Sequence, residues 1–296
     1  MRTQDSGDSK DFPKKNSENL KGVNILFEDA HILVCYKPSG IATQSKNIRT
    51  PDMVSILKNY LSDSSQVKNS SANAHMPGTT RTSGNLRTSG SLHTADPYLA
   101  VVHRLDQPVE GLLVFAKTPF AAKELNRELT SHGFGKYYRA LVSHAPADPE
   151  ACLENYLVKD ARTNTSRICS KDTQGAKLAR LSYKIVEENA RYFSTAFSTA
   201  DSAGITDGTF ASGSGTKIAA CGKSCELDIH LDTGRHHQIR VQLAGIGCPI
   251  VGDTKYNPET QKKRMGRLTH TRLCLCSYRL EFTHPKTKKQ MIFSLF

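Results

Sequence analysis

The sequence predicts an α+β fold in which flanking helices pack on a mixed, mainly antiparallel central sheet. Short segments in which apolar and polar residues alternate recur along the chain, and turn residues separate many of them by hairpin-like distances. Few segments repeat apolar residues at helical spacing. Many strands, few helices and short connections are typical of this class. The length of 296 residues allows one large domain.

The N-terminal part is expected to begin with a polar leader over residues 1–20, which lacks the apolar core of a signal peptide. Alternation predicts a hairpin over Val23–Tyr36, and Lys37–Gly40 reads as the turn after it. Helical spacing over Met53–Leu61 predicts a short amphipathic helix. The segment 62–97 is so rich in Ser, Thr, Asn and Gly that a flexible insertion is expected there.

The middle of the chain is predicted to carry two apolar strands around a polar loop, then a helix and another strand. These elements are strands at 98–102 and 111–115, a helix at 118–129 and a strand at 136–142. Thr118 and Pro119 suit the N-cap and the first turn of that helix. The loop His103–Glu110 lies between two buried strands, where a rigid scaffold can present polar side chains to a ligand.

The C-terminal part is predicted to be strand-rich as well. Its elements are strands at 181–186 and 225–231, a helix that ends at Gly247, and a strand pair at 272–282 and 290–296. A second Gly/Ser/Thr-rich stretch, 198–215, predicts another flexible insertion. The apolar segments beside both insertions are too short for separate cores, so residues 21–296 are expected to form a single domain.

Charge points to a polyanionic partner. Lys and Arg outnumber Asp and Glu by 40 to 28, which gives a formal net charge of +12. A surface that serves only solubility would have the same composition. One basic run could track a nucleic-acid backbone, or simply be a solvated face; its members are Lys255, Lys262, Lys263, Arg264, Arg267 and Arg272.

The eight cysteines are scattered without the paired spacing of a zinc site. We therefore expect reduced thiols, a cytoplasmic location and no bound metal. Cys274 and Cys276 alternate with leucines in a predicted strand, which favours core packing. No apolar run has membrane-spanning length, so no membrane association is expected.

Two motifs bring together residues that could carry chemistry. In His103-Arg104-Leu105-Asp106 an acid follows a basic pair, although such an Asp more commonly forms a turn or pairs with a nearby arginine. The segment Gly234–Arg240 places two arginines, two histidines and a glutamine at a helix start. Such a terminus suits phosphate, and Arg240 could reach a carboxylate. A solvated basic turn is the alternative; a metal site is disfavoured because no carboxylate or cysteine stands at ligand spacing.

Together these motifs resemble those of the RluA family of RNA pseudouridine synthases. The resemblance runs from about residue 23 to the C-terminus in the family's order, and its four segments are Glu28–Gly40, Val102–Lys117, Lys136–Val142 and Gly234–Asp253. Several ordered motifs are far more specific than one.

The resemblance implies an enzyme that isomerises uridine to pseudouridine in rRNA or tRNA without a cofactor. By position, Asp106 matches the catalytic aspartate, Tyr138 the active-site tyrosine, and Arg240 the arginine that pairs with the aspartate. The remaining site positions are assigned to RNA binding: His103, Arg104, Arg235, His237 and Gln238. We expect the protein to act as a monomer.

The chain departs from the family pattern in two places. Pro108, Val109 and Glu110 stand where the family has a polar residue and then Thr-Ser. This difference puts hydrogen bonds within the loop His103–Glu110, which we call the signature loop, in doubt. Thr43-Gln44 replaces the Val-His with which the first motif normally continues. An RNA-binding protein or chaperone that keeps the scaffold without catalysis is therefore an alternative. A DNA-binding or membrane-surface protein is a third, but no recognition-helix or basic amphipathic pattern supports it.

Overall fold

The computed structural model describes residues 20–45, 47, 49–72, 96–131, 133–187, 192–193, 224–258, 260–261 and 272–296, with the side chains of 64–72 excepted. The predicted leader, apart from Leu20, and the predicted insertion at 198–215 lie outside these residues, as does most of the insertion predicted at 62–97.

Eleven strands among the described residues form one sheet. They are β1 (Asn24–Glu28), β2 (Ile32–Lys37), β3 (Ala100–Val101), β4 (Glu110–Ala116), β5 (Gly135–Val142), β6 (Glu150–Asp160), β7 (Thr165–Cys169), β8 (Lys177–Ile185), β9 (Cys225–Leu231), β10 (Leu275–Thr283) and β11 (Gln290–Ser294). Hydrogen-bonded neighbours follow the order β1-β2-β4-β10-β5-β9-β8-β6-β7; β3 pairs with β4, and β11 with β10. Within the described chain, β4 and β10 are the one parallel pair. The predicted class is confirmed.

The parallel contact between β4 and β10 joins an N-terminal and a C-terminal half of the sheet. Glu110 pairs with Cys276, and Gly111 pairs with Ser277. Gly111 has a φ of +123°, and a Cβ on it would lie 2.2 Å from the Ser277 carbonyl oxygen. Only glycine therefore fits at this crossing. We call this two-residue contact the seam.

Two helices cover opposite faces of the N-terminal half. Helix α1 (Met53–Ala72) packs in the cluster that contains Leu33, whereas α2 (Pro119–Thr130) packs in the cluster that contains Val34. Because successive strand residues point to opposite faces, β2 and β4 are buried on both sides. Helix α3 (Gln238–Gly245) follows β9 and packs against β6 and β7.

Most predicted elements are confirmed with small shifts at their ends. The Thr118 side chain caps α2 as predicted, by accepting a hydrogen bond from the Ala121 N–H. Helix α1 corrects one prediction, since it continues through Ala72 into the segment expected to be a flexible insertion from residue 62. No Gly or Pro stands between residues 62 and 72, so the backbone there has no strong helix breaker.

The hairpin of β6 and β7 was not predicted. Its residues are largely exposed or half-buried, and only scattered positions, such as Leu157 and Ser166, are buried. A strand that buries so little leaves a weak alternation in the sequence. No helix within the described ranges combines the length and apolar content needed to cross a membrane.

Candidate active site

A cleft of about 700 Å³ opens where the two halves of the sheet meet. Asp106 enters it from the loop between β3 and β4, Tyr138 from β5, and Arg240 from α3. The turn Gly234–His237 between β9 and α3 forms another wall. The three residues predicted to be catalytic are thus brought together from separate elements.

Asp106 and Arg240 form an ion pair in this cleft. Arg240 Nη1 donates to Asp106 Oδ2 at 3.1 Å. The other edge of the guanidinium forms two hydrogen bonds with Asp253, from Nε to Oδ2 and from Nη2 to Oδ1, each at 2.8 Å. Burial opposes the charge of Arg240, but both carboxylates together raise its pKa above the ordinary value. Arg240 is therefore a fixed cation, oriented by Asp253 and presented to Asp106.

The two carboxylates differ in exposure. The Asp253 side chain is fully buried and also accepts N–H bonds from Lys255 and Tyr256. The Asp106 side chain is 27% exposed, and its Oδ1 accepts no hydrogen bond from the described residues. Asp106 is therefore the carboxylate that a ligand in the cleft can reach.

His237 provides a second contact to Asp106. Its Nδ1 lies 2.7 Å from the Tyr256 hydroxyl, which itself accepts the Ser166 N–H at 2.8 Å. Because the Asp106 carboxylate that Nε2 faces can only accept, the tautomer with the proton on Nε2 is favoured, and the Tyr256 hydroxyl then donates to Nδ1. Nε2 lies 3.5 Å from Asp106 Oδ2. Burial, aided by the charge of Arg240, lowers the pKa of His237 to about 2, so a neutral ring faces Asp106.

The backbone at His237 is left-handed, with a φ of 54° at the N-cap of α3. Non-glycine residues rarely adopt this conformation. Here it turns the chain so that the His237 and Arg240 side chains both reach Asp106. Backbone strain of this kind is commonly found at functional sites.

The turn Lys37–Gly40 is hydrogen-bonded to the signature loop. The Lys37 ammonium is fully buried and donates to the carbonyl oxygens of Pro38, Ile41 and Gln107 at 3.0, 2.6 and 3.1 Å. Gly40 and Gln107 exchange two further hydrogen bonds, at 2.9 and 3.0 Å. The sequence predicted this turn but gave no sign of its role.

The departure from the family pattern at Thr43-Gln44 forms contacts with the signature loop. Thr43 Oγ1 donates to the Leu105 carbonyl at 2.9 Å and accepts the Leu105 N–H at 3.1 Å. Gln44 Oε1 accepts from Arg104 Nη2 at 3.0 Å. The residues that replace Val-His therefore fix the backbone directly before Asp106.

Glu110, which belongs to the other departure, is the first residue of β4 and is buried, with 2% exposure. Its carboxylate accepts hydrogen bonds from Tyr36 at 2.9 Å and from Tyr192 at 3.3 Å, and it pairs with Arg272. The replacement of Thr-Ser therefore does not leave Glu110 without hydrogen bonds, because these residues supply them. They anchor the start of β4 next to the seam.

Tyr138 is buried in the wall of the cleft. Burial raises the pKa of its phenol well above the ordinary value, with a smaller effect from the Asp106 charge. The hydroxyl is therefore neutral at physiological pH. A neutral ring at this position is suited to stacking against a planar base.

The predicted RNA-binding residues all line the cleft but differ in availability. Arg104 and Arg235 are exposed, and Arg235 Nε donates to the Leu178 carbonyl at 2.8 Å. Burial lowers the pKa of His103 to about 3, so that ring is neutral; its Nε2 accepts the Val114 N–H at 3.4 Å.

Gln238 differs from this group because it is 2% exposed. Its amide oxygen accepts from the Thr233 hydroxyl and the Arg235 N–H, and its nitrogen donates to the Arg180 carbonyl. The geometry therefore favours a structural role for Gln238 over the RNA contact predicted from the sequence, because its polar groups are already used to hold the Gly234–His237 turn.

Only two members of the predicted basic run lie within the described residues. Lys255 donates to the Asn164 carbonyl, and Arg272 pairs with Glu110. The other four fall in the segment 262–271, outside the described residues. In the described part of the chain, no group of three or more His, Cys, Asp or Glu side chains is arranged to hold a metal ion.

Sequence reasoning overlooked Asp253, Tyr256 and Lys37 as parts of the site. Asp253 and Lys37 stand inside matched motifs, and the only available signal was a charged residue among apolar neighbours. A buried charge needs a partner, so such positions point to internal ion pairs or hydrogen bonds. The partner itself becomes visible only in the folded chain.

Comparison with known proteins gives a consistent result. The model of the family described as RNA pseudouridylate synthase matches residues 31–245. Over 272 residues, the chain is 29% identical to ribosomal large subunit pseudouridine synthase D of Nitrosomonas europaea, covering 89% of this chain and 58% of that protein. It is 27% identical to ribosomal large subunit pseudouridine synthase C of Pasteurella multocida, covering 93% of this chain and 64% of the relative. The chain thus spans about three fifths of these relatives.

Two solved human structures share the fold. The chain aligns with RNA pseudouridylate synthase domain containing 1 at a TM-score of 0.58 and 16% identity, covering 95% of this chain and 86% of that one. The alignment with RNA pseudouridylate synthase domain containing 4 has a TM-score of 0.55 and 18% identity, covering 92% and 87%. At this identity the likeness concerns the fold.

Proposed function

Because this chain belongs to the RNA pseudouridylate synthase family, we propose that it isomerises uridine to pseudouridine in structured RNA, with Asp106 as the reacting carboxylate. The observation that carries the proposal is the geometry around Asp106. Its carboxylate is oriented by Arg240 and His237 but keeps one oxygen open to the cleft. A carboxylate that is fixed in place yet accessible can react with a bound ligand.

The reaction breaks the bond between C1′ of the ribose and N1 of uracil, and forms a bond between C1′ and C5. The C5 proton leaves and N1 gains a proton, so atoms balance without a second substrate. Asp106 either attacks C1′ or removes a ribose proton, as carboxylates do at glycosidic centres.

The neighbours of Asp106 have separate roles in this proposal. Arg240 compensates the charge of Asp106 and fixes its rotamer, while Asp253 keeps the guanidinium from turning away. Tyr138 stacks on the uracil so that the detached base can rotate without being lost. Its raised pKa keeps the hydroxyl protonated, so the phenolate that could remove the C5 proton is scarce and we assign Tyr138 to stacking.

The substrate uridine must leave a stacked helix to reach the cleft, either by flipping or because it lies in a loop. Arg104 and Arg235 at the rim are free to contact phosphates around it. We propose rRNA or tRNA as the substrate. Both bacterial relatives named above carry ribosomal large subunit in their names, which supports rRNA.

We further propose that the protein acts as a monomer in the cytoplasm, without metal or cofactor. Five of the seven cysteines in the described part of the chain are buried, which suits thiols that pack in the core of a protein in a reducing compartment. The chemistry above draws only on a carboxylate, an arginine and an aromatic ring.

Mapping pseudouridines in total RNA from cells with and without the gene tests the proposal. We expect at least one site to disappear in the deletion and to return with the wild-type gene. Asp106→Asn should not restore it, because the amide cannot carry the carboxylate's charge. Asp172→Asn, an exposed substitution away from the cleft, is the matched control and should restore it.

A different outcome would support the non-catalytic alternative. If Asp106→Asn restores every phenotype and no pseudouridine depends on the gene, the chain is an RNA-binding protein on this scaffold. Filter binding of the same RNA to both variants completes the comparison, since the proposal expects Asp106→Asn to bind RNA without modifying it.

A further inference from the structure

The cleft extends beyond the catalytic cluster to an end that the proposed reaction leaves unassigned. Past Tyr138 it continues along Lys136, the turn that begins at Asp232 and the C-terminal end of α2. Lys136 stands two residues before Tyr138 on β5, so both side chains point to the same face. At the usual rise of a strand, Lys136 lies roughly 6.6 Å further along.

Lys136 has a buried side chain whose ammonium finds no hydrogen-bond acceptor among the described residues. The residue as a whole is 5% exposed, and its ammonium is not among the buried atoms that lack a partner, so it faces the cleft. Lys37 shows the contrast, because its buried ammonium donates to three carbonyl groups. An ammonium that is held by an otherwise buried side chain, makes no hydrogen bond to the described residues and faces a cleft is suited to contact an anionic ligand there.

The residues around Lys136 leave room for an anion. The ammonium lies 3.8 Å from the position that a Cβ on Gly234 would take, so the turn at Gly234 passes directly beside it. Asp232 is the nearby acid, and it already lies 3.2 Å from His230 Nδ1. Arg235 adds a second positive charge close by. His103, from the opposite wall, is neutral.

We propose that Lys136 binds a backbone phosphate of the RNA, next to the flipped nucleotide. This inference rests on the proposed function, which places the uridine between Asp106 and Tyr138. With the reacting sugar at Asp106, a flanking phosphate can enter the far end of the cleft and accept hydrogen bonds from the ammonium. Lys136 thus holds the strand in register with the catalytic carboxylate.

Burial lowers the pKa of Lys136 to about 8; the nearby charge of Asp232 opposes this shift and that of Arg235 adds to it. The ammonium is therefore charged at neutral pH and loses its proton as the pH rises through about 8. An ordinary exposed lysine would keep its charge to about pH 10. The phosphate contact should therefore weaken between pH 7 and 9.

Binding of a short synthetic hairpin RNA with uridines in its loop tests the inference, measured by filter retention on an Asp106→Asn background. Lys136→Met should weaken binding about tenfold, and the slope of log affinity against log salt should fall by about 1, as for one lost phosphate contact. Lys136→Arg keeps the charge and should bind almost normally. Its affinity should also stay constant from pH 7 to 9, where that of wild type falls.

A scan with single methylphosphonates identifies the contact. Replacing one phosphate that flanks the loop uridine should weaken wild-type binding and have no further effect on Lys136→Met. If every replacement weakens both proteins equally, Lys136 contacts a base oxygen or nothing, and the inference is overturned. Unchanged affinity and salt slope in Lys136→Met would overturn it as well.

Thermal unfolding separates binding from structure. Lys136→Met should unfold near the wild-type temperature, because methionine keeps the apolar part of the buried side chain and the lost ammonium makes no hydrogen bond to the described residues. A large drop in melting temperature without a change in RNA affinity would make the lysine structural. Because these readouts concern binding, they hold even if the uridine-to-pseudouridine reaction is not observed.

Discussion

The signature loop carries two carboxylates, four residues apart, that each pair with an arginine. The two pairs differ in their surroundings. Asp106 pairs with Arg240 at the wall of the cleft and keeps one oxygen open. Glu110, at the start of β4, pairs with Arg272, and two tyrosine hydroxyls complete its hydrogen bonds. The same chemical pair is thus open to a ligand in one setting and enclosed by protein partners in the other. Access to the cleft and an unfilled acceptor make the difference.

The largest expected effect comes from Arg240→Ala. Turnover should fall by at least about a hundredfold, because a fixed charge that orients Asp106 is lost. The substitution also leaves Asp253 buried without its partner, which should lower the free energy of unfolding by about 3–5 kcal/mol. Steady-state rates and urea unfolding measure the two effects.

A double variant separates these effects. Asp253→Asn combined with Arg240→Ala removes the unpaired buried charge, so stability should recover in part while turnover stays low. Recovery of turnover together with stability would mean that Arg240 acts only by holding the fold, which would break the contrast with Arg272.

Thr43→Val should have an intermediate effect. It leaves the N–H and the carbonyl of Leu105 without their side-chain partner, at an expected loss of about 1–3 kcal/mol of stability. Because Leu105 precedes Asp106, the carboxylate should also be less well placed, and turnover should drop several-fold. Thr43→Ser keeps the hydroxyl and is the matched control; equal defects in both variants would assign the effect to packing.

The smallest expected effect on activity comes from Glu110→Gln. The amide keeps the size of Glu110 but cannot accept from all of its partners, so stability should fall by about 1–2 kcal/mol. Turnover per folded molecule should stay near wild type, since this pair does not reach the cleft. A large loss of turnover at unchanged stability would contradict the structural role.

How much of the structure the sequence could predict depended on how far apart in the chain the interacting residues lie. Local patterns predicted α2 with its Thr118 cap, because capping and periodicity are properties of neighbouring residues. The ordered motifs predicted that Arg240 would meet Asp106. The hydrogen bonds of Thr43 to Leu105 bridge a long separation in the chain, and no periodicity records them. The RNA contact predicted for Gln238 stays a prediction, and the burial that favours a structural role for it is a property of the fold that no local pattern records.

The seam gives the molecule a particular vulnerability. Asp106 is carried by the half-sheet before the seam, whereas Tyr138 and Arg240 are carried by the half after it. A slip of one residue between Gly111 and Ser277 would misalign the reacting groups while each half stayed folded. Slow amide hydrogen exchange at this crossing would thus be a sign of an intact site, and a side chain at Gly111, which would clash with the Ser277 backbone, should separate the two strands and lower stability and activity together.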